Sequence, residues 1–193
     1  MVRDPKTGLI EMKQTGLINR VIDALGLDDG SVARKLTPSS GDPLIRDEDG
    51  DPFEGDFNYA SVVGMLLYLS GHSRPDITYA VNCCARYMFN PKKRHEIAIK
   101  RIGRYLKGTA NRGLIINPNK LTEEGLKIDC FPDADFAGLY GYENPSDPTC
   151  VKSRTGFLIT ICGCPVLWQS KLQSETALST MEAEIIALAH SCK

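Results

Sequence analysis

Apolar positions set the outline of this chain before any single residue matters. Leu9, Ile10 and Met12 follow the turn chemistry of Asp4-Pro5-Lys6-Thr7-Gly8, so residues 1–14 predict a β-hairpin. From Leu17 the period changes. Leu17, Ile18, Val21, Ile22 and Leu25 share one helical face, and Gly26 is placed to stop the helix. Residues 28–58 are rich in Asp, Gly, Pro and Ser, lack a period, and read as a flexible surface linker.

Three helices are predicted between Asn58 and Lys107. The first carries Val62, Val63, Leu66, Leu67 and Leu69 and stops near Gly71. The second opens on Pro75, whose missing N–H suits a first turn, and carries Ile77, Ala80, Val81, Cys84 and Met88 as far as Asn90-Pro91. The third is strongly amphipathic. At ~100° per residue, His95, Ala98, Ile99, Ile102, Tyr105 and Leu106 fall in an arc of about 120°. Lys93, Lys100, Arg104 and Lys107 lie opposite, flanked by Arg94 and Arg101.

Beyond Gly108 the texture is that of strands: 113–116, 126–133, 155–161 and 165–170, the last two joined by the turn Cys162-Gly163-Cys164. Ser179-Thr180-Met181-Glu182 is a capping box, with serine at N-cap and glutamate at N3. The helix it opens runs towards Lys193 with no C-cap written, so the chain is expected to be a fragment. The fold class expected is α+β.

Composition changes this picture little. Of 193 residues, 42% are apolar and 24% charged, an ordinary globular mix able to bury a core without staples. No apolar run reaches ~18 residues, so no membrane span is expected. No apolar stretch follows Met1 to Pro5, so no signal peptide is expected either. The seven cysteines form no C-x-x-C pair and have no histidine at ligand spacing, which favours free thiols over a zinc site.

Charge changes it more. Residues 1–58 carry 7 basic and 12 acidic side chains, residues 59–120 carry 11 and 2, and residues 121–193 carry 5 and 10. A basic block between acidic ones suggests a local polyanion site. On the third helix a solvated surface is the simple reading of the basic face. The near absence of balancing acids, Glu96 alone, argues for a phosphate backbone beside it.

Two carboxylate signals carry candidate chemistry. Asp133-Ala134-Asp135 ends a predicted strand, and Glu182-Ala183-Glu184 opens the last helix. A strand-end aspartate and a helical glutamate can share a divalent metal, and oxygen ligands suit magnesium or manganese. On pattern alone, surface and capping roles are the simpler explanation, since pairs of acids two apart are common.

Seven segments in order carry a resemblance: GLIEMKQTGLINRVIDALGL, YASVVGMLLYLSGHSRPDITYAV, HEIAIKRIGRYLKGT, PDADFAG, KSRTGF, VLWQSKLQ and ALSTMEAE. Together they resemble the pol polyprotein of copia-type long-terminal-repeat retrotransposons, over the end of the reverse transcriptase and the start of ribonuclease H. The resemblance implies a primer-grip hairpin and thumb-like helix over 1–27 and a linker over 28–58. It implies a helical thumb/connection-like region over 59–111 and the N-terminal half of a ribonuclease H-like mixed β-sheet domain over 112–193.

The parent function it implies is RNA-directed DNA synthesis with metal-dependent cleavage of the RNA in a hybrid. The family's polymerase Tyr-x-Asp-Asp does not occur in this sequence, so the chain alone is expected to be inactive. The family's first catalytic aspartate matches Asp133. Its catalytic glutamate matches Glu184, leaving Glu182 to the cap. Both would ligate magnesium or manganese, and Asp135, two residues along the strand, would either assist the metals or only hold the turn. Lys93, Lys100, Arg101, Arg104 and Lys107 would grip an RNA–DNA hybrid or primer–template. The implied partners are that nucleic acid and the rest of the polyprotein, with no membrane. The implied places are a cytoplasmic virus-like particle and the nucleus. The alternative is a non-catalytic nucleic-acid-binding remnant or a host-recruited interaction domain.

Two departures from the family pattern stand out. Pro132 occupies a position where serine is usual, and since proline cannot donate within a sheet it predicts a bulge beside Asp133 or a degraded geometry of the metal site. Phe136 replaces a usual tryptophan. Among the remaining aromatics and histidines, His95 is expected to be packed and satisfied, His72 to be a surface residue, and Trp168 to be core.

Overall fold

The computed structural model describes residues 1–29, 33–120 and 125–193. Residues 30–32, within the expected linker, and 121–124, within the expected C-terminal domain, lie outside the described residues. The chain divides into a helical unit, Lys13–Gly113, and a sheet unit made of Met1–Met12 together with Leu114–Lys193. These boundaries differ from the sequence-based division at 27, 58 and 111. The reason is pairing: β2 (Ile10–Met12) bonds to β1 (Val2–Arg3) on one side and to β3 (Leu114–Ile116) on the other.

In the helical unit α1 spans Thr15–Ala24, α2 Tyr59–His72, α3 Thr78–Ala85 and α4 Lys93–Gly108. Gly26, at φ +62°, ends α1. The Gly26 N–H donates to the Asp23 carbonyl and the Leu27 N–H to that of Ile22, the paired bonds of a Schellman stop. Asn58 caps α2, its side chain accepting from the Ser61 N–H at 2.8 Å. The second predicted helix is shorter than expected. A 3-10 turn, Pro75–Ile77, precedes α3, and beyond Ala85 the chain tightens through bonds from Tyr87 N–H to Cys84 and from Met88 N–H to Ala85.

One core fills this unit. Ile18, Val63, Leu66, Leu69, Ile77, Val81, Ile99 and Leu106 are all fully buried. Beside it sits a buried charge. Arg74 is 1% exposed and forks onto Asp76, with an N···O distance of 2.7 Å, while also donating to the Thr109 carbonyl and hydroxyl. Tyr105 donates to the same Asp76 carboxylate at 2.7 Å. Burial raises the Asp76 pKa, but the bonds from Arg74 and Tyr105 outweigh it and hold the carboxyl below its usual value.

In the sheet unit a second antiparallel sheet has the order β4-β5-β6, with β4 Ile128–Asp135, β5 Arg154–Ile161 and β6 Cys164–Leu172. The mixed sheet expected is wholly antiparallel over the described strands. Cys162 (φ 49°) and Gly163 (φ 76°) form the two-residue turn between β5 and β6, where both central residues need positive φ. Helix α5, Thr180–Ser191, packs on β4 and β5 through Ala183 and Ala187 and ends with Cys192 as its C-cap. Trp168, expected in the core, is half-buried on β6.

The bulge expected at Pro132 is absent. β4 and β5 pair without interruption from Ile128↔Ile161 to Asp135↔Arg154, and the register shift lies instead between Ile159 and Thr160. Among the described strands β4 is an edge, where a proline can turn its nitrogen away from the ladder at no cost in hydrogen bonds.

Candidate functional site

The carboxylates come from contacting elements. Asp133 and Asp135 lie near the end of β4, both exposed, and Glu184 lies exposed in the first turns of α5, which packs on β4 and β5. Alternation turns Phe131, Asp133 and Asp135 to one face of β4 and Pro132 and Ala134 to the other. Asp133 stands opposite Gly156, and Ala134 opposite Thr155. The Thr155 hydroxyl and the Ala183 carbonyl both accept from the amide of the buried Gln173, at 3.1 and 3.0 Å. That amide links strand β5 to the start of α5.

Glu182 and Glu184 differ as the capping box predicts. Ser179 is the N-cap, and its hydroxyl accepts from the Glu182 N–H at 3.1 Å. The Glu182 carboxylate turns back to accept from the Leu178 N–H at 2.7 Å, one residue before the cap. Glu184 flanks the packed stripe of Ala183 and Ala187. Among the described residues, no three histidine, cysteine or acidic side chains gather where they could hold a metal ion.

The basic side chains of Lys93, Lys100, Arg101 and Lys107 on α4 are engaged within the chain, and Arg104 is held through its backbone carbonyl. Lys93 bridges to Glu54 (3.2 Å) and Glu96 (3.1 Å), and Lys100 to Glu96 (2.7 Å). Arg101 donates to the Thr37 hydroxyl at 2.8 Å. The Arg104 carbonyl accepts from the Lys35 N–H, and Lys107 donates to the carbonyls of Leu27 and Asp29. Glu96, read from sequence as the one balancing acid, is 4% exposed. Burial pushes its carboxyl up, but the bonds from Lys100 and Lys93 prevail and lower its pKa.

Most of these partners belong to the segment expected to be a flexible linker. Over residues 33–57 the chain lies along α3 and α4. The Tyr87 hydroxyl donates to the Leu44 carbonyl (2.8 Å) and His95 Nε2 to that of Ile45 (2.8 Å). His95 is fully buried, stacks on Tyr87 at 4.2 Å, and takes the Lys92 N–H on Nδ1. With Nδ1 accepting, the proton sits on Nε2. Leu44, Phe53 and Phe57 pack against the helical core. Sequence reasoning missed this docking. The available signal was charge: an acidic block beside a basic one.

A search against family models finds no match, and no solved structure matches. Curated sequences do match. The chain is 42% identical over 135 residues to the retrovirus-related Pol polyprotein from transposon TNT 1-94 of Nicotiana tabacum, covering 70% of this chain and 9% of that protein. It is 31% identical over 172 residues to the Pol polyprotein from transposon RE1 of Arabidopsis thaliana, covering 89% of this chain and 11% of that one. It is also 35% identical over 134 residues to secreted RxLR effector protein 161 of Plasmopara viticola, covering 69% of this chain and 85% of that protein. The chain therefore spans about a tenth of the length of the two polyproteins. Shared at this level across most of its length, its sequence belongs to the copia-type retrotransposon Pol polyproteins.

Proposed function

We propose that this chain is the part of a copia-type polyprotein that joins the end of the reverse transcriptase to the start of ribonuclease H, and that it holds RNA–DNA hybrid. The observation that supports this is the element order of the sheet unit. Three antiparallel strands lead into a helix packed on the first two, with Asp133 near the end of the first strand and Glu184 in the first turns of the helix. That order agrees with what the resemblance implies for the first half of a ribonuclease H-like domain.

The donor set suits magnesium or manganese: carboxylate oxygens on an exposed strand end and helix flank, without thiolate or imidazole. Asp133 and Asp135, on the face of β4 opposite to the Ala134–Thr155 face that α5 covers, and Glu184, on the exposed flank of α5, would hold the metal. When bound in pairs, such ions activate water and stabilise the leaving oxygen in phosphodiester hydrolysis. The chain's own contribution is placement: the β4–β5 ladder fixes the aspartates, and the Gln173 link with the Ser179 cap fixes the helix that carries Glu184. Lys93, Lys100, Arg101, Arg104 and Lys107 would meet phosphates without reading sequence.

Two measurements test this. Changing Lys93, Lys100, Arg104 and Lys107 to glutamine should weaken hybrid binding and lower the salt slope by up to ~4, about one for each phosphate no longer neutralised. A chain extended along the polyprotein should cleave hybrid with magnesium, and lose cleavage on Asp133→Asn. An inert extended chain would favour the second reading, a non-catalytic binding or interaction module. That reading draws on the effector-sized relative, 85% of whose length this chain covers.

A further inference from the structure

Segment 33–57 carries seven acidic and three basic side chains, and it lies on the most basic helix of the protein. Its contacts fall into two kinds. The first kind anchors it. Leu44 and Ile45 give their carbonyls to Tyr87 and His95, and Phe53 and Phe57 pack against the helical core. These bonds are partly buried and insensitive to salt.

The second kind is electrostatic and exposed. Between the anchors runs Arg46-Asp47-Glu48-Asp49-Gly50-Asp51-Pro52, and Glu54 follows Phe53. Asp47 faces Arg94 at 3.8 Å and Glu54 faces Lys93 at 3.2 Å. Lys92 Nζ reaches the Gly50 carbonyl at 3.5 Å, the Asp51 carbonyl accepts the Lys93 N–H at 2.9 Å, and Pro52 bridges to Lys92. This acidic stretch covers the N-terminal turn of α4, where negative charge is favoured by the helix dipole. It presents carboxylates and carbonyls to cations that could otherwise take phosphate oxygens.

We infer that the acidic stretch 46–54 is a built-in competitor for the basic first turn of α4, Lys92 to Arg94, where the basic face begins, and that nucleic acid binds there by displacing it. The inference rests on the proposed hybrid-binding role of that face. Exposed ion pairs are individually weak and screened by salt, so the stretch can lift between its anchors without opening the core. The protein then binds with an affinity reduced by the fraction of molecules whose face is covered. Polyanions long enough to replace several carboxylates together compete; single phosphates do not.

The test compares two variants of equal charge. Asp47→Asn with Glu54→Gln removes two acids that pair with α4, and Glu143→Gln with Glu175→Gln removes two acids from the sheet unit. Affinity for a 20-base-pair RNA–DNA hybrid should rise at least about fivefold for the first pair relative to the second. Amides of residues 46–51 should exchange faster in the natural chain when hybrid is added. Equal affinities, or unchanged or slower exchange at saturating hybrid, would overturn displacement. The glutamine variant of Lys93, Lys100, Arg104 and Lys107 separates the two readings. If it binds more weakly while the acid variants match each other, the face binds nucleic acid and the competitor does not exist. If it binds as tightly as the natural chain, the reading of the face itself fails.

Discussion

The helical unit and the sheet unit solve the burial problem differently. In the helical unit the large apolar side chains turn inward, and Ile18, Val63, Leu66, Leu69, Ile77, Val81, Ile99 and Leu106 are inaccessible. In the sheet unit the buried residues are few and mostly small, led by Ala183, Ala187 and Cys150. Its large ones face outward: Phe131 is 57% exposed, Met181 70% and Ile185 58%. Helix α5 is apolar on both sides, with alanines towards the sheet and Met181, Ile185 and Leu188 away from it. A helix apolar all round is suited to burial on both sides. The helical unit thus has a closed core, whereas the sheet unit shows apolar surface of the kind that marks interaction sites.

Core substitutions should separate the two units most sharply. Leu66→Ala should cost about 2–5 kcal/mol through lost transfer energy and a cavity, whereas Phe131→Ser should cost well under about 1 kcal/mol. Urea denaturation of both variants checks this, and equal losses would break the comparison.

The Arg74 network should come next. Arg74→Met removes the cation that faces Asp76 and the bonds to Thr109, leaving Asp76 the Tyr105 hydroxyl, and should cost about 3 kcal/mol. The same network predicts a pH dependence. Asp76 has a folded pKa below its unfolded value, so its contribution is fully present above the usual aspartate range and is lost as pH falls through the depressed value. Denaturation midpoints of natural and Arg74→Met chains should therefore converge as pH drops below about 4.

The smallest effects lie on α5. Glu182→Ala should cost up to ~1 kcal/mol through the lost cap, while Glu184→Gln should cost nearly nothing, since its carboxylate bonds no backbone. Thermal melts decide, and equal losses would undo the division of roles between the two glutamates.

The sequence made the local elements legible and the distant ones not. The period of α4, the stop at Gly26, the cap at Ser179 and the turn at Cys162-Gly163 are all written within a few residues of where they act. Residues 33–57 have no period to read, because they are held through the backbone carbonyls of Leu44 and Ile45 and through scattered carboxylates. Pro132 misled for a related reason: its meaning depends on whether its strand is an edge, which only the pairing of the whole sheet decides. At the candidate site the acids were visible as residue types, but the alternation that sets Asp133 opposite Gly156, and Ala134 opposite Thr155, needed the register.

One strand pair imposes an order on folding. Met12 pairs with Leu114, so the two ends of the helical unit leave and rejoin the same small sheet at neighbouring positions. A chain emerging from the ribosome exposes β2 early, yet its second neighbour arrives only after residues 13–113 have been made. The helical unit, whose core lies entirely within that interval, can fold first and hold the two ends together, reducing the entropy of closing so long a loop. Residues 1–12, made before the helical unit, would then find their place after it.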